Sequence, residues 1–167
     1  MFITPTFRDN TPNTGQIISA LYGDGTGNTD RTAYSQLWTG VICNPASMNL
    51  VYLTGGYNKI PDSLIANTIY ILSEGDYIEQ TYTNMNTCSA LIGIGNVKIS
   101  TNRYQDYTVR MAYKNEIVDN LKLDGSHSGS NLKETTIHGR NAYGVVIDGT
   151  NTTNNTINQV QSYNHSY

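Results

Sequence analysis

The chain has 167 residues, a formal net charge of −3, only 14% charged residues, and 20 Asn, 21 Thr, 13 Tyr and 15 Gly. So few charges argue against a helical or coiled-coil protein, and the even spread of Ile, Leu, Val and Tyr argues against disorder. The slight excess of acid excludes the basic patch that nucleic acid needs, and no apolar run is long enough to cross a membrane as a helix.

The first third of the chain predicts a cap rather than a repeat. Residues 1–20 are polar and are expected to form an extended lead-in, and residues 21–66 an N-terminal cap. Within the cap, Ala33, Leu37 and Val41 recur at helical spacing after a glycine-rich turn. This spacing predicts one short helix over about 30–39, with Thr29 or Asp30 capping its first amides. Met1 begins no signal peptide, because the start lacks a basic region and an apolar core.

The two cysteines, Cys43 and Cys88, are far apart in the sequence. They suit a disulfide that clamps the cap to the first repeat, as in exported proteins. Two buried free thiols fit the sequence equally well, so both alternatives stay open.

From residue 67 to residue 167 the sequence predicts short strands joined by Gly and Asn turns. Thr68–Leu72 and Tyr77–Gln80 are predicted strands on either side of a Ser-Glu-Gly-Asp turn, and Thr108–Ala112 is a strand within a longer excursion. Thr, Tyr, Ile and Val favour such strands, while Asn and Gly favour left-handed turn corners.

Two internal repeats organise this region. Val97–Ser100, Leu121–Ser126 and Val145–Thr150 share one pattern, which places Ile99, Leu123 and Ile147 24 residues apart. Ile117, Ile137 and Ile157 form a second series that recurs every 20 residues. One such strand cannot bury its apolar face alone, so like strands must stack on like. The repeats predict a parallel β-solenoid with a continuous apolar column, and insertions in turns such as Asp124–Lys133 account for the unequal spacings.

Three stretches resemble the pectate-lyase-like right-handed parallel β-helix superfamily, which includes pectin lyases, polygalacturonases and phage tailspikes. Gly23–Ala33 is similar to the glycine-aspartate turn and short helix that open such domains, although Arg31 stands where the family usually has an acidic residue. Thr68–Tyr77 resembles the family's first coil, with Ser73-Glu74 in place of its small-apolar and proline steps, and Asn154–Asn158 resembles its coil repeat. The resemblance implies an all-β, right-handed parallel β-helix with an N-terminal cap containing one short α-helix.

Two aspartates are candidates for chemistry. Asp124 and Asp148 hold equivalent places in the first repeat, which predicts carboxylates about 5 Å apart on successive coils. Such a pair can hold Ca²⁺ or share acid and base roles in glycoside cleavage, with His138 and Arg140 nearby as further catalytic candidates. Both aspartates precede glycine, so stacked turn aspartates are the favoured simpler interpretation, and His138 then serves as a turn or surface histidine.

Tyrosines are the stronger candidates for binding. A flat face of tyrosines can stack on sugar rings while Asn and Asp bind hydroxyl groups. The alternative is that these side chains pack on neighbouring coils. The predicted carbohydrate-binding set is Tyr104, Tyr107, Tyr113, Tyr143 and Tyr163.

Together these features predict an extracellular domain that recognises polysaccharide, with polysaccharide lyase or glycoside hydrolase activity left open. The alternative is a non-catalytic structural or adhesive stalk of a phage fibre or cell-surface protein. Expected partners are a glycan and a second copy that associates through the open C-terminal end; a transmembrane segment and nucleic acid are not expected. No cofactor is required, although Ca²⁺ is compatible with the aspartates.

Overall fold

The computed structural model describes residues 43, 48–102, 105–126 and 143–165. The chain divides into two compact units, residues 1–48 and 49–167, and every strand described here belongs to the second. The expected lead-in, the glycine-rich turn and the helix over about 30–39 lie outside the described residues.

The second unit contains three parallel sheets. Sheet A is formed, in spatial order, by β1 (Asn49–Leu53), β3 (Thr68–Leu72), β6 (Ser89–Gly93), β9 (Ile117–Asp119) and β12 (Thr156–Asn158). Sheet B is formed by β2 (Gly56–Tyr57), β4 (Gly75–Glu79), β7 (Val97–Thr101), β10 (Lys122–Asp124) and β13 (Gln161–Tyr163). Sheet C is formed by β5 (Thr83–Asn84), β8 (Tyr107–Met111) and β11 (Tyr143–Ile147).

The chain visits these sheets in a fixed cycle. From β3 to β13 it passes from sheet A to sheet B to sheet C and back to sheet A, and each strand pairs in parallel with the strand one cycle earlier. The predicted all-β class and the parallel pairing are confirmed, and the described residues contain no α-helix. This arrangement is compatible with a β-solenoid, in which each cycle is one coil. The sheets begin at Asn49, well before the expected boundary at residue 67.

The first sequence repeat is correct for two of its three copies. Ile99 of β7 pairs with Leu123 of β10, as the 24-residue spacing predicts. Ile147 does not continue this column, because it lies in sheet C and pairs with Met111. The next partner of Leu123 is Ser162. The prediction for Ile147 was wrong because the third interval crosses from one sheet to another.

The second repeat is off by one residue. β9 and β12 do pair in sheet A, but Ile117 is aligned with Thr156 and Val118 with Ile157. The offset here is 39 residues, as between Asp119 and Asn158, which is one fewer than two repeats of 20. Ile137, the middle member, lies outside the described residues. A shift of one residue moves each side chain to the other face of the strand, so this difference decides which residues face the core.

The core is a set of apolar columns, one inside each sheet. Val51, Tyr70, Leu91 and Val118 are aligned in sheet A and all belong to, or pack against, one buried cluster. Sheet B adds Tyr77, Ile99 and Leu123, and sheet C adds Val109 and Met111. Every residue of β3 and β6 is buried, so these strands are covered on both faces, as their continuous apolar sequence requires.

Left-handed corners join the sheets, as the abundance of Asn predicts. Asn67, Cys88, Asn115 and Asn154 precede successive strands of sheet A, and all four have φ between 54° and 61°. Asn tolerates this region better than most residues because its short polar side chain bonds locally. The backbone N–H of Asn115 donates to the carbonyl of Thr153 on the next coil, and its side-chain amide lies 3.9 Å from the sulfur of Cys88. We call these four residues the corner ladder.

Neither cysteine is a free thiol. Cys43 and Cys88 are both buried and both disulfide-bonded, which decides between the two alternatives that the sequence left open.

Replacing Asn115 with Ala is expected to lower the free energy of unfolding by about 3 kcal/mol. An L-residue other than Asn or Gly costs roughly 1–2 kcal/mol at positive φ, and the lost amide contacts in a buried site cost about 1 kcal/mol more. Asn58→Ala is the matched control, because Asn58 also has positive φ but its side chain is exposed. It should lose only the backbone part, about 1–2 kcal/mol. Urea denaturation measures both, and equal losses would contradict a structural role for the corner ladder.

Candidate functional site

The structure separates the two candidate aspartates. Asp124 ends β10 in sheet B, where it is aligned with Ser100 on one side and Tyr163 on the other. Asp148 follows β11 in sheet C, and its backbone N–H donates to the carbonyl of Met111. The expected carboxylate ladder is therefore wrong, for the same reason that Ile147 leaves the first repeat. Neither the acid and base pair nor the Ca²⁺ site expected from that ladder is formed by these two residues.

Asp124 is a nearly buried turn aspartate. Its Oδ1 accepts hydrogen bonds from the backbone N–H of Ser126 at 3.0 Å, the Ser126 hydroxyl at 2.6 Å and the Asn164 amide at 3.0 Å. Burial opposes the charge, but the hydrogen bonds from Ser126 and Asn164 outweigh it and lower the pKa of Asp124. A carboxyl held as an anion is a poor proton donor, so Asp124 fits the turn role that the Asp-Gly sequence favours.

Asp148 pairs with a cation at the surface. Its Oδ1 lies 2.6 Å from Nε of Arg110 on the neighbouring strand β8. The hydrogen bond with Asp148 raises the pKa of Arg110. Both side chains are partly exposed, so their remaining polar atoms are accessible to a ligand.

Tyrosines from three coils meet beside this ion pair. The rings of Tyr82 and Tyr107 are in edge contact, with centroids 4.3 Å apart and an interplanar angle of 63°. Tyr107 is aligned with Tyr143, the first residue of β11, which is 50% exposed. Burial and the hydrogen bond with Tyr82 raise the pKa of Tyr107 to about 12, while the charge of Arg110 acts the other way. We call Tyr82, Tyr107, Tyr143, Arg110 and Asp148 the tyrosine cluster.

The other predicted site residues do not join this cluster. Tyr163 lies on β13 in sheet B next to Asp124, and Tyr113 follows β8 with its carbonyl bonded to the Asn155 amide. The single flat face expected for all five tyrosines is therefore not formed, although Tyr107 and Tyr143 do come together. Tyr104, His138 and Arg140 lie outside the described residues.

Sequence reasoning missed two members of the cluster and one further contact. Tyr82 was not a candidate because its alignment with Tyr107 depends on the length of one particular coil. Arg110 was one of several available arginines, and only its place opposite Asp148 distinguishes it. Near the end of the described chain, the Ser162 hydroxyl lies 3.1 Å from Nδ1 of His165. Burial lowers the pKa of His165, so the ring favours its neutral form.

Two buried glutamates also went unnoticed. Oε1 of Glu79 accepts the backbone N–H groups of Lys59 and Ile60, both at 3.1 Å, and its Oε2 is buried without a hydrogen-bond partner. Oε2 of Glu116 accepts from the Tyr113 N–H and the Asn155 amide, and its Oε1 is likewise unpartnered. Burial raises the pKa of both carboxyls, because water no longer stabilises the charged form. The alternation of β4, which puts Glu79 on the same side as Tyr77, was the signal available in the sequence.

The described surface offers a ligand no deep enclosure at the tyrosine cluster. One described cavity, lined in part by Val97, Asn120 and Gln159, has a volume of about 40 Å³. Small-molecule sites usually measure roughly 300–1,000 Å³. Among the described residues no three His, Cys, Asp or Glu side chains are grouped as metal ligands, and none of their helical segments is long and apolar enough to span a membrane.

Comparison of the chain with models of known protein families, with curated proteins and with solved structures gives no match in any of the three. The tyrosine cluster is thus interpreted from its own geometry.

The buried glutamates predict that stability falls as the pH rises. Each has a folded-state pKa above its ordinary value of 4.5, so the folded state holds protons that the unfolded state has released. Their contribution is complete below pH 4.5 and is lost as the pH rises through the folded-state pKa. Urea denaturation from pH 4.5 to pH 8 should show this decline.

Glu79→Gln should flatten this decline and make the protein more stable than the wild type at pH 8, because the amide keeps the acceptor for Lys59 and Ile60 without a buried charge. Glu74→Gln, on an exposed turn, is the matched control and should leave the slope unchanged. A Glu79→Gln slope equal to that of the wild type would show that Glu79 does not titrate in this range.

Proposed function

We propose that the chain is a carbohydrate-recognising domain of a secreted or surface-displayed protein, and that its coils form a right-handed parallel β-helix of the pectate-lyase-like type. The observation that carries the functional proposal is the tyrosine cluster. Three tyrosines from successive coils lie beside an accessible Arg-Asp pair.

The cluster combines the two features that sugar recognition needs. Aromatic faces pack against the C–H face of a sugar ring, and the Arg110 guanidinium and Asp148 carboxylate supply donors and acceptors for hydroxyl groups. The strands that carry the tyrosines are about 4.8 Å apart, so an extended chain of sugars running across the coils meets a repeated set of partners. A positively charged group beside the rings also suits uronates, whose carboxylates pair with guanidinium groups.

An open surface fits a polymer better than a small molecule. A small ligand needs a cavity that buries most of its area, whereas a polysaccharide gains its affinity from several weak contacts along a face. This supports polysaccharide over a free sugar as the ligand.

Sequence and topology support the proposed superfamily and location. The cycle of sheets A, B and C is the one expected of a three-sided coil, and Thr68–Tyr77, which resembles the family's first coil, does form β3, a turn and β4. Disulfide-bonded Cys43 and Cys88 favour an oxidising environment, such as the cell exterior.

Cleavage of the polysaccharide is a separate part of the proposal. A lyase or hydrolase would place its chemistry at Asp148 and Arg110, because Asp124 is held as an anion in another sheet. A panel of polyuronates and neutral glycans tests this, with ultraviolet absorbance for unsaturated products and a chemical assay for new reducing ends. Binding without either product would remove the enzymatic part and keep the recognition part.

A structural or adhesive stalk is the second candidate. It is favoured by the corner ladder and by the parallel pairing of successive coils, which suit an elongated stack. Failure to bind any glycan would favour this alternative over recognition.

Tyr143→Ala is expected to weaken glycan binding about tenfold, because one stacked aromatic ring contributes on the order of 1 kcal/mol beyond the area it covers. Tyr52→Ala is the matched control, since Tyr52 is 44% exposed on β1 but lies outside the cluster. Affinity electrophoresis followed by calorimetry measures both variants. Equal affinities for the two variants would place the binding surface elsewhere.

A further inference from the structure

The last coil described leaves three strand edges without a neighbour among the described residues. β12 ends sheet A, β13 ends sheet B and β11 ends sheet C, so all three sheets stop at the same coil. We call the surface formed by these three edges the end face. Unpaired strand edges are templates for further pairing.

The hydrogen bonds of β12 and β13 identify the groups that point out of the end face. The N–H of Thr156 donates to Glu116 and the carbonyl of Asn158 accepts from Asn120, so these two residues face the preceding coil. Ile157 lies between them, and alternation along a strand turns its N–H and carbonyl the other way. The N–H of Gln161 and the carbonyl of Tyr163 also bond to the preceding coil, which turns the polar groups of Ser162 outward.

Apolar side chains accompany these polar groups. Ile147 is 49% exposed and Ile157 is 45% exposed, although their aligned neighbours Met111 and Val118 are fully buried. Val160, between β12 and β13, is only partly buried against the core. The end face thus continues the apolar columns of the core up to the solvent.

The end face also lacks the usual protection against pairing. Edge strands of soluble proteins are commonly blocked by Lys or other charges, or by Pro. Residues 143–165 contain no Lys, Arg, Glu or Pro, and their one carboxylate, Asp148, is bonded to Arg110. A surface with strand edges, exposed Ile and no blocking charge is suited to be covered.

We propose that a second copy of this chain covers the end face through a two-fold axis that brings the two end faces together. The occupant must supply strand edges in the same arrangement around a coil, and a second copy has that arrangement. A two-fold axis reverses the strand direction, so each edge meets an antiparallel partner, and it closes the assembly at two chains. The near absence of charge makes the face self-complementary, because no like charges meet across the axis.

Two matched pairs of variants test this dimer, with analytical ultracentrifugation of the whole chain over a range of concentrations. The wild type should approach twice its chain mass of 18.4 kDa. Ile157→Lys should raise the dissociation constant about tenfold or more, because two buried like charges would meet near the axis. Ile65→Lys, at a site that is 64% exposed outside the end face, should leave it unchanged.

The second pair acts on the backbone alone. Ser162→Pro removes an outward N–H and should weaken the dimer, while Ser162→Ala, which keeps that N–H, should not. Circular dichroism and a cooperative melt establish that each variant is folded, and if Ile157→Lys fails to fold, the Ser162 pair decides. A monomeric wild type, masses that keep growing beyond two chains, or equal behaviour within both matched pairs would overturn the proposal. Glycan binding by the Tyr143 cluster is measured separately, so either proposal can fail alone.

Discussion

Parallel hydrogen bonding between successive coils is the constraint on which the rest of this structure depends. Because each strand pairs with the strand one cycle earlier, a side chain is placed directly over its equivalent on the previous coil. Apolar residues then form columns such as Tyr70, Leu91 and Val118, which no single coil could bury. The same alignment stacks polar residues, so it creates the corner ladder, and it brings Tyr107 next to Tyr143.

The corners let coils of unequal length share one register. The offset between aligned strands of sheet A is 19 residues from Asn49 to Thr68 and 39 residues from Asp119 to Asn158. Extra residues leave and return between strands, while positive φ at Asn67, Cys88, Asn115 and Asn154 keeps the entry to sheet A the same on each coil. Loops tolerate insertion because they lie outside the ladder, whereas a one-residue change within a strand would turn its core side outward.

Burial divides the acidic residues into two groups with different roles. Glu79 and Glu116 lie inside the fold, and each anchors backbone N–H groups through one oxygen while the other oxygen has no partner. Asp148 is at the surface with Arg110, next to exposed Tyr143. Buried carboxyls make stability depend on pH, and exposed ones are available to ligands. Only the second group therefore enters the proposed recognition of carbohydrate.

The sequence by itself determined the kind of structure. Alternating apolar residues, Asn and Gly at turns and recurrent short strands led to parallel pairing and to strands such as Thr68–Leu72, because strand period and turn chemistry are local properties. It also placed Ile99 over Leu123 correctly. Only the tertiary structure decided which sheet each later strand joins, since that depends on how many residues each turn holds. For this reason Ile147 and Asp148 belong to sheet C, Ile157 is aligned with Val118, and the cluster of Tyr82, Tyr107 and Arg110 could not be recognised before the coils were assembled.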